Sequence, residues 1–208
     1  MKNILFVCAL EKEGRQLAEA LGLKEIGSSS DRTGLKLFES EDGSKRLIIT
    51  CMGKQFTMMN LSKYLCSNEK PDLIINVGYA GSTDIPVGKW VNIERAYNYE
   101  WDIPGEEKYV MCNGGSQKLM ILENSGIETV ECYSSESFVT ETDIEEHVAF
   151  DMELHSISLI CDLYDIPVLA LKKISDNLSL DNYYENLKKD EVFELTSCID
   201  ILRKNINI

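Results

Sequence analysis

Short apolar runs alternate along the chain with amphipathic stretches and glycine-containing turns. Runs that are apolar throughout are typical of strands buried on both faces of a sheet. The pattern predicts strands at residues 3–9, 35–40, 46–52, 73–77, 90–97, 128–133 and 168–176. It predicts helices at residues 11–21 and 56–66, over about fourteen residues from Asp151, and at 182–204. Because strands and helices alternate, we expect an α/β fold, with a largely parallel twisted sheet flanked by helices in a single domain of residues 1–208.

Polar residues stand at the ends of several predicted strands. These ends carry Glu11 to Glu13, Gly53-Lys54, Gly78 to Gly81 and Ser175-Asp176. In open α/β sheets, ligands bind beyond the carboxyl ends of the strands. The residues that can do chemistry are therefore expected to gather at one edge of the sheet.

Two carboxylates fall in sequence that should be buried. Glu153 lies within an apolar segment, and Asp176 follows the apolar run that begins at Val168. A buried carboxylate is strongly unfavourable unless it is paired, protonated or bound to a ligand. From the residues alone two interpretations stay open for this pair. The two residues could form a ligand site, or Glu153 could be a helix-start acid and Asp176 a cap residue. Glu13 could likewise be an exposed acid at the start of a helix.

The glycine-containing segment Gly78 to Gly81 follows a predicted strand. It could form a tight turn that exposes backbone N–H groups to a ligand, or it could serve loop geometry alone. It lacks the lysine of a P-loop and the third glycine of a dinucleotide-binding fingerprint.

The charge balance and the cysteines limit the class of function. The net charge of −14, from 35 acidic and 21 basic residues, argues against nucleic acid or an anionic membrane as partner. No apolar run approaches the ~20 residues that span a bilayer, and the apolar stretch after Lys2 is too short for a secretory signal. Seven scattered cysteines without a CxxC pair indicate reduced thiols in the cytoplasm. With two histidines, neither a metal site nor Cys-His chemistry is expected, and no cofactor is predicted.

Six segments follow one another in a recognisable order. They are Cys8 to Glu13, Gly53-Lys54, Pro71 to Gly81, Ser134 to Val139, Asp151 to Glu153 and Ile174 to Asp176. In this order they resemble the purine nucleoside phosphorylase and nucleosidase superfamily, and most closely its methylthioadenosine/S-adenosylhomocysteine nucleosidases. The Met-Glu and Ser-Asp pairs are the specific part of the resemblance, which covers nearly the whole chain.

The resemblance implies a hydrolase that cleaves the N-ribosidic bond of a purine nucleoside. Asp176 matches the general acid that protonates the purine at N7, and Glu13 matches the base that activates water at C1′. Glu153 matches the carboxylate that holds the 2′ and 3′ hydroxyls. The implied partners are a small purine nucleoside and a second copy of the chain in a homodimer.

The same resemblance implies the remaining substrate contacts. Phe138 would stack on the purine, the backbone of Val139 would read its edge, and Met152 would pack beneath the sugar. The other residues expected to border the substrate are Ser175, Tyr79, Ala80 and Gly81.

Several positions depart from the pattern of the nucleosidases. Tyr79 replaces a small hydroxyl residue, Lys172 replaces an arginine behind the catalytic acid and water, and the segment 101–133 is shorter. Asn76 stands where bacterial phosphorylases carry an arginine, so water is favoured over phosphate as the nucleophile.

Two alternatives remain from the sequence. One is a phosphorylase that uses Lys54 or Arg15 to hold phosphate. The other is a non-catalytic nucleoside-binding protein, against which the retention of all three carboxylates argues.

Overall fold

The structure of the protein is a computed structural model that describes residues 3–28, 34–111, 117–145, 147–206 and 208. The strands are β1 (Ile4–Cys8), β2 (Lys24–Ser28), β3 (Lys36–Glu39), β4 (Lys45–Ile49), β5 (Leu73–Gly81), β6 (Trp90–Asn98), β7 (Gln117–Lys118), β8 (Glu128–Ser134), β9 (Val148–Asp151) and β10 (Val168–Asp176). The helices are α1 (Glu11–Ala20), α2 (Lys54–Ser67), α3 (Leu154–Leu163), α4 (Leu180–Asn186), α5 (Asp190–Phe193) and α6 (Ser197–Asn205). None of the described helices is both long enough and apolar enough to cross a membrane.

All described strands join one mixed sheet. The strand order is β10-β6-β8-β9-β5-β1-β4-β3-β2, with β7 beside β6, and β10 also pairs with β5, so that β10, β6, β8, β9 and β5 close into a barrel. Parallel pairing joins β1 to β4 and β5, whereas β6 runs antiparallel to β10 and β9 runs antiparallel to β5. The predicted α/β class is confirmed, but the expectation of a largely parallel sheet is wrong. An apolar run shows that a strand is buried and does not show the direction of its neighbours.

Three strands were missed, and one predicted helix starts later than expected. The strand β7 has two residues, which are too few to show an alternating or apolar pattern. The strand β2 is exposed and rich in polar residues, so it lacks the apolar signal of a buried strand. The strand β9 ends at Asp151, where a helix was predicted to begin, and α3 begins only at Leu154. Asp151 is therefore a strand-end residue.

Two further predictions are wrong in detail. The segment from Gly78 to Gly81 is the last part of β5 and not a tight turn. The single helix predicted over 182–204 is divided into α4, α5 and α6, because the backbone is extended at Lys189 and Glu194. The apolar residues Val192, Leu195 and Leu202 are still buried, as the predicted apolar face required.

Two hydrophobic clusters lie on opposite faces of the sheet. On one face, residues of α2 and α3 pack against alternate positions of β1 and β5, such as Leu5 and Ile74. On the other face, α1 and α6 cover positions such as Phe6 and Ile75. The six described cysteines are free thiols, and Cys112 lies outside the described residues.

Candidate active site

All ten site residues predicted from the sequence line one cavity of about 430 Å³. The cavity lies beyond the carboxyl ends of β1, β5 and β10, as expected for this class of sheet. Its wall is completed by residues after β8, by the junction of β9 with α3, and by α4. Further lining residues, for which no role was predicted, include Ala9, Leu10, Met52, Glu136 and Phe150.

Asp176 ends β10 and is 1% exposed. Its Oδ2 accepts a hydrogen bond from Ser175 Oγ at 2.7 Å, and its Oδ1 accepts none from the described residues. A Cβ on Gly81 would lie 2.9 Å from that Oδ1, so the site requires glycine there. Burial raises the pKa of the Asp176 carboxyl, against the hydrogen bond from Ser175. The arrangement suits a carboxyl group that keeps a proton and offers it to a ligand.

Glu13 lies in the first turn of α1 but is 3% exposed, so the alternative of an exposed helix-start acid is wrong. Its Oε2 accepts the N–H groups of Ala9 at 3.2 Å and Leu10 at 2.9 Å, and its Oε1 accepts the N–H of Tyr79 at 3.1 Å. Burial raises the pKa of Glu13, and these hydrogen bonds and the charge of Lys172 act against the rise. The carboxylate is held between the ends of β1 and β5.

Glu153 precedes α3 and is 7% exposed. Its side chain does not cap its own helix, since Oε1 instead accepts the N–H of Gly53 at 2.8 Å, just before α2. Burial and the negative charge of Asp151 raise the pKa of Glu153 to about 8, against the charge of Lys172. Gly53 has φ 101°, and a Cβ there would lie 2.9 Å from Glu136 Oε1. The start of α2 therefore has no room for a side chain at this position and requires glycine.

A buried ion pair joins Asp151, which lines the cavity, to Lys172, which does not, and the acid of this pair was not predicted. Lys172 Nζ lies 2.7 Å from Asp151 Oδ2, and both residues are buried. Asp151 also accepts hydrogen bonds from Ser134 Oγ at 2.5 Å and from the N–H of Leu154 at 3.0 Å. Burial opposes ionisation of Asp151, but Lys172 outweighs it and lowers the pKa of Asp151. The pair therefore anchors the β9–α3 junction, which carries Met152 and Glu153.

The segment 135–139, which follows β8, carries Phe138 and Val139 into the cavity wall. The ring of Phe138 meets the ring of Tyr183 edge to face, with 5.8 Å between ring centroids. Tyr183, Tyr184 and Leu180 belong to α4, and all three line the cavity. These three residues were not predicted from the sequence, because the pattern indicated a single long helix over most of this segment.

Tyr79 lines the cavity, whereas the residue that its hydroxyl group contacts, Phe193, does not. Tyr79 Oη donates a hydrogen bond to the carbonyl of Phe193 at 2.7 Å. Lys12 Nζ lies 5.3 Å from the ring centroid of Tyr79 and 5.1 Å from that of Tyr183. The large side chain expected at this position is therefore present, but its hydroxyl group is already bonded to the backbone of α5.

The two cations considered for phosphate binding already have partners. Lys54 Nζ donates to Asn98 Oδ1 at 2.6 Å and pairs with Glu100. Arg15 pairs with Glu11 at 2.7 Å and with Glu25 at 3.3 Å on the outside of α1. Among the described residues that line the cavity, none is lysine or arginine.

Comparisons with known proteins identify a family and a relative in sequence. The family profile of the Phosphorylase superfamily matches residues 3–195. A 5′-methylthioadenosine/S-adenosylhomocysteine nucleosidase of Shewanella pealeana is 26% identical, and the match covers 86% of this chain and 88% of that protein.

Two solved structures share the fold at lower sequence identity. One is the methylthioadenosine/S-adenosylhomocysteine nucleosidase of Colwellia psychrerythraea in complex with adenine, with a TM-score of 0.80, 19% identity, and coverage of 98% of this chain and 96% of that one. The other is the futalosine hydrolase of Helicobacter pylori, with a TM-score of 0.81, 15% identity, and coverage of 99% and 98%.

Proposed function

The chain belongs to the phosphorylase superfamily, and from that premise we propose that it hydrolyses the N-glycosidic bond of a purine nucleoside such as methylthioadenosine or adenosylhomocysteine. One observation carries the proposal. Four buried carboxylates converge on a single cavity whose described lining contains no lysine or arginine. Asp151 is ion-paired with Lys172, which leaves Glu13, Glu153 and Asp176, from separate elements, to act on a substrate.

Asp176 acts as the general acid in this proposal. Breaking an N-ribosidic bond produces an oxocarbenium-like ribose and a departing purine, which must gain a proton. Burial raises the pKa of Asp176, which favours the protonated carboxyl group over the ionised one. Oδ1 accepts no hydrogen bond from the described residues and lies beside Gly81, in the cavity wall, from where it can donate to N7.

Glu13 acts as the base that activates water. Burial raises its pKa, and a base whose pKa lies nearer to the working pH accepts a proton more readily. Its Oε1 accepts one backbone N–H, from Tyr79, which leaves a lone pair for a water molecule. The water then attacks C1′ from the side of the sugar that faces β1 and β5.

Glu153 holds the ribose through its 2′ and 3′ hydroxyl groups. A carboxylate that accepts two O–H groups makes strong, charge-assisted hydrogen bonds. The N–H of Gly53 fixes the orientation of this carboxylate, and Met152 and Phe138 provide apolar surface for the sugar and the base.

Water is favoured over phosphate as the nucleophile. Phosphate next to C1′ needs cations, and both Lys54 and Arg15 are engaged in ion pairs. Asn76, which stands where bacterial phosphorylases carry an arginine, is uncharged and buried, and it donates to the carbonyl of Val7 at 3.0 Å. The non-catalytic alternative is disfavoured because binding alone does not need an acid at N7 and a base at C1′.

The decisive experiment is a nucleoside panel assayed with and without phosphate. It should include methylthioadenosine, adenosylhomocysteine, futalosine, adenosine and inosine. We expect release of the free base and of a free ribose derivative at equal rates in both buffers. Ribose 1-phosphate as the main product would identify a phosphorylase, and tight binding of nucleosides without any product would identify a binding protein.

We further propose that the enzyme is a homodimer. Met52, Phe56 and Met59 are exposed apolar residues at the start and along one side of α2, and Met52 also lines the cavity. A second copy packed on α2 would remove this apolar stripe from water and would border the cavity. Light scattering should give twice the chain mass and Phe56→Glu should give a monomer, whereas a monomeric wild-type protein would contradict the proposal.

We also assign the enzyme to the cytoplasm. The six described cysteines are free thiols, which suits a reducing compartment. Fractionation of the source cells with an antibody against the protein tests this assignment, and recovery from outside the cytoplasm would contradict it.

A further inference from the structure

Lys54 is the first residue of α2 and follows the glycine that orients the ribose carboxylate. The N–H of Gly53 is bonded to Glu153, and the next side chain along the chain, that of Lys54, reaches in another direction. Its Nζ donates to Asn98 Oδ1 at 2.6 Å and pairs with Glu100 Oε2. The start of α2 is thus tied both to the ribose carboxylate and to the end of β6.

Glu100 uses its second oxygen to hold the segment 135–139, here called the purine loop because the proposed function takes it to bind the base. Oε1 accepts hydrogen bonds from Ser135 Oγ at 2.8 Å and from the N–H of Glu136 at 2.6 Å. These two residues begin the loop that carries Phe138 and Val139 into the cavity wall. One carboxylate therefore bridges the lysine of α2 and the backbone of the purine loop.

The neighbouring residue Tyr99 bonds to the backbone on both sides of the purine loop. Its N–H donates to the carbonyl of Ser134 at 3.0 Å, and its hydroxyl donates to the carbonyl of Glu141 at 3.2 Å. The segment 98–100 is therefore docked along the purine loop, and Glu100 joins this docked segment to α2.

We propose that Glu100, held by Lys54, is a positioning residue that sets the purine loop in register with the ribose carboxylate Glu153. The inference rests on the proposed function, because it takes the loop to bind the base and Glu153 to bind the sugar. The base, through the purine loop, and the sugar, through Glu153, are then both positioned relative to the start of α2. The purine N7 can meet Asp176 only when base and sugar are placed together, and a displacement of about 1 Å can lower the rate about 100-fold.

The stability of the fold does not explain why Glu100 pairs with Lys54 at this place. Partly exposed ion pairs add little to folding, and Glu100 remains partly exposed. Removing its carboxylate should therefore change catalysis more than folding, which separates a positioning role from a structural one.

The test compares Glu100→Ala, Glu100→Gln and Lys54→Met with the wild type. The measurements are kcat and KM for methylthioadenosine, the Kd of adenine by calorimetry, and the thermal midpoint. For Glu100→Ala we expect kcat/KM to fall about 10- to 100-fold and the Kd of adenine to rise several-fold, with the midpoint within about 2 °C. Glu100→Gln keeps an acceptor for the loop, so its kcat/KM and its Kd of adenine should lie between those of the wild type and those of Glu100→Ala. Lys54→Met should add little in the Glu100→Ala background, because the two residues act together.

A matched control is Glu39→Ala, which breaks the ion pair of Glu39 with Arg46 at 2.6 Å on β3 and β4, away from the cavity. This variant should keep kcat/KM and the Kd of adenine. Values of both quantities for Glu100→Ala within twofold of wild type would overturn the positioning role, as would a loss of thermal stability alone. If Glu100→Ala fails to fold, wild-type values of both quantities for Glu100→Gln would overturn the role instead. A wild type that binds no purine and cleaves no nucleoside would overturn the proposed function together with this inference.

Discussion

Replacing Glu153 by glutamine should remove activity and increase stability in the same protein. The Glu153 carboxyl group is buried, and burial together with the charge of Asp151 raises its pKa from the ordinary 4.5 to about 8. A rise of this size corresponds to on the order of 5 kcal/mol of folding free energy lost once the group is ionised. Glutamine keeps the oxygen that accepts the N–H of Gly53 and never ionises.

The pH range of this effect follows from the direction of the pKa change. Below pH 4.5 the group is protonated in both folded and unfolded chains, so it imposes no penalty. Between pH 4.5 and about 8 the unfolded chain loses the proton and the folded chain keeps it, so stability falls as pH rises. At pH 7 the buried carboxyl group lowers the free energy of unfolding by about 3 kcal/mol, and Glu153→Gln should not show this loss. For a chain of this size that difference raises the thermal midpoint by roughly 6–12 °C.

Thermal melts at pH 4.5, 7 and 8.5 measure the effect, with Glu145→Gln as a control that removes an exposed carboxylate. The gap between Glu153→Gln and wild type should be near zero at the lowest pH and should widen with pH. Activity should change in the opposite sense, because the proposed role needs the carboxylate form of Glu153, which the two ribose hydroxyl groups stabilise in the complex. Losing a hydrogen bond to a charged group lowers kcat/KM by roughly 10- to 150-fold. A lower midpoint for Glu153→Gln at pH 8.5, or normal turnover per folded molecule, would refute the reasoning.

Two further variants test the surroundings of the cavity. Lys172→Met leaves Asp151 buried without its cation and should lower stability by about 3–5 kcal/mol, which the second change Asp151→Leu should largely restore in chemical unfolding. Gly81→Ala places a Cβ 2.9 Å from Asp176 Oδ1 and should lower kcat about 100-fold, whereas Gly27→Ala, with nothing within 4 Å of the new Cβ, should leave kcat unchanged. A stable Lys172→Met protein, or equal kcat in the two alanine variants, would contradict these expectations.

The lining of the cavity could be predicted because strand ends are local sequence features. Asp176 and the glycine-containing end of β5 each follow an apolar run, and both line the cavity. The catalytic and binding roles given to these residues came from the resemblance and stay predictions. The buried state of Glu13 could not be read locally, because it depends on how α1 packs against the end of β5, where the N–H of the distant residue Tyr79 donates to Glu13.

The parts that were missed depend on long-range pairing. The Lys172 side chain finds Asp151 only because the fold brings β10 close to the end of β9, and nothing near either residue in sequence indicates the other. The barrel closes through the pairing of β10 with both β5 and β6, which apolar runs cannot specify. The contribution of α4 to the cavity was hidden because the helical pattern continues across Lys189, where the chain bends.

The most direct test of the central claim is the turnover of Asp176→Asn with methylthioadenosine in phosphate-free buffer. Asparagine keeps the size of the side chain and one hydrogen bond to N7, but it cannot release a proton. General acid catalysis contributes about 10²–10⁴-fold, so kcat should fall at least 100-fold while the thermal midpoint and the Kd of adenine are retained. Turnover close to that of the wild type would contradict the assignment of Asp176 as the acid and, with it, the proposed mechanism of hydrolysis.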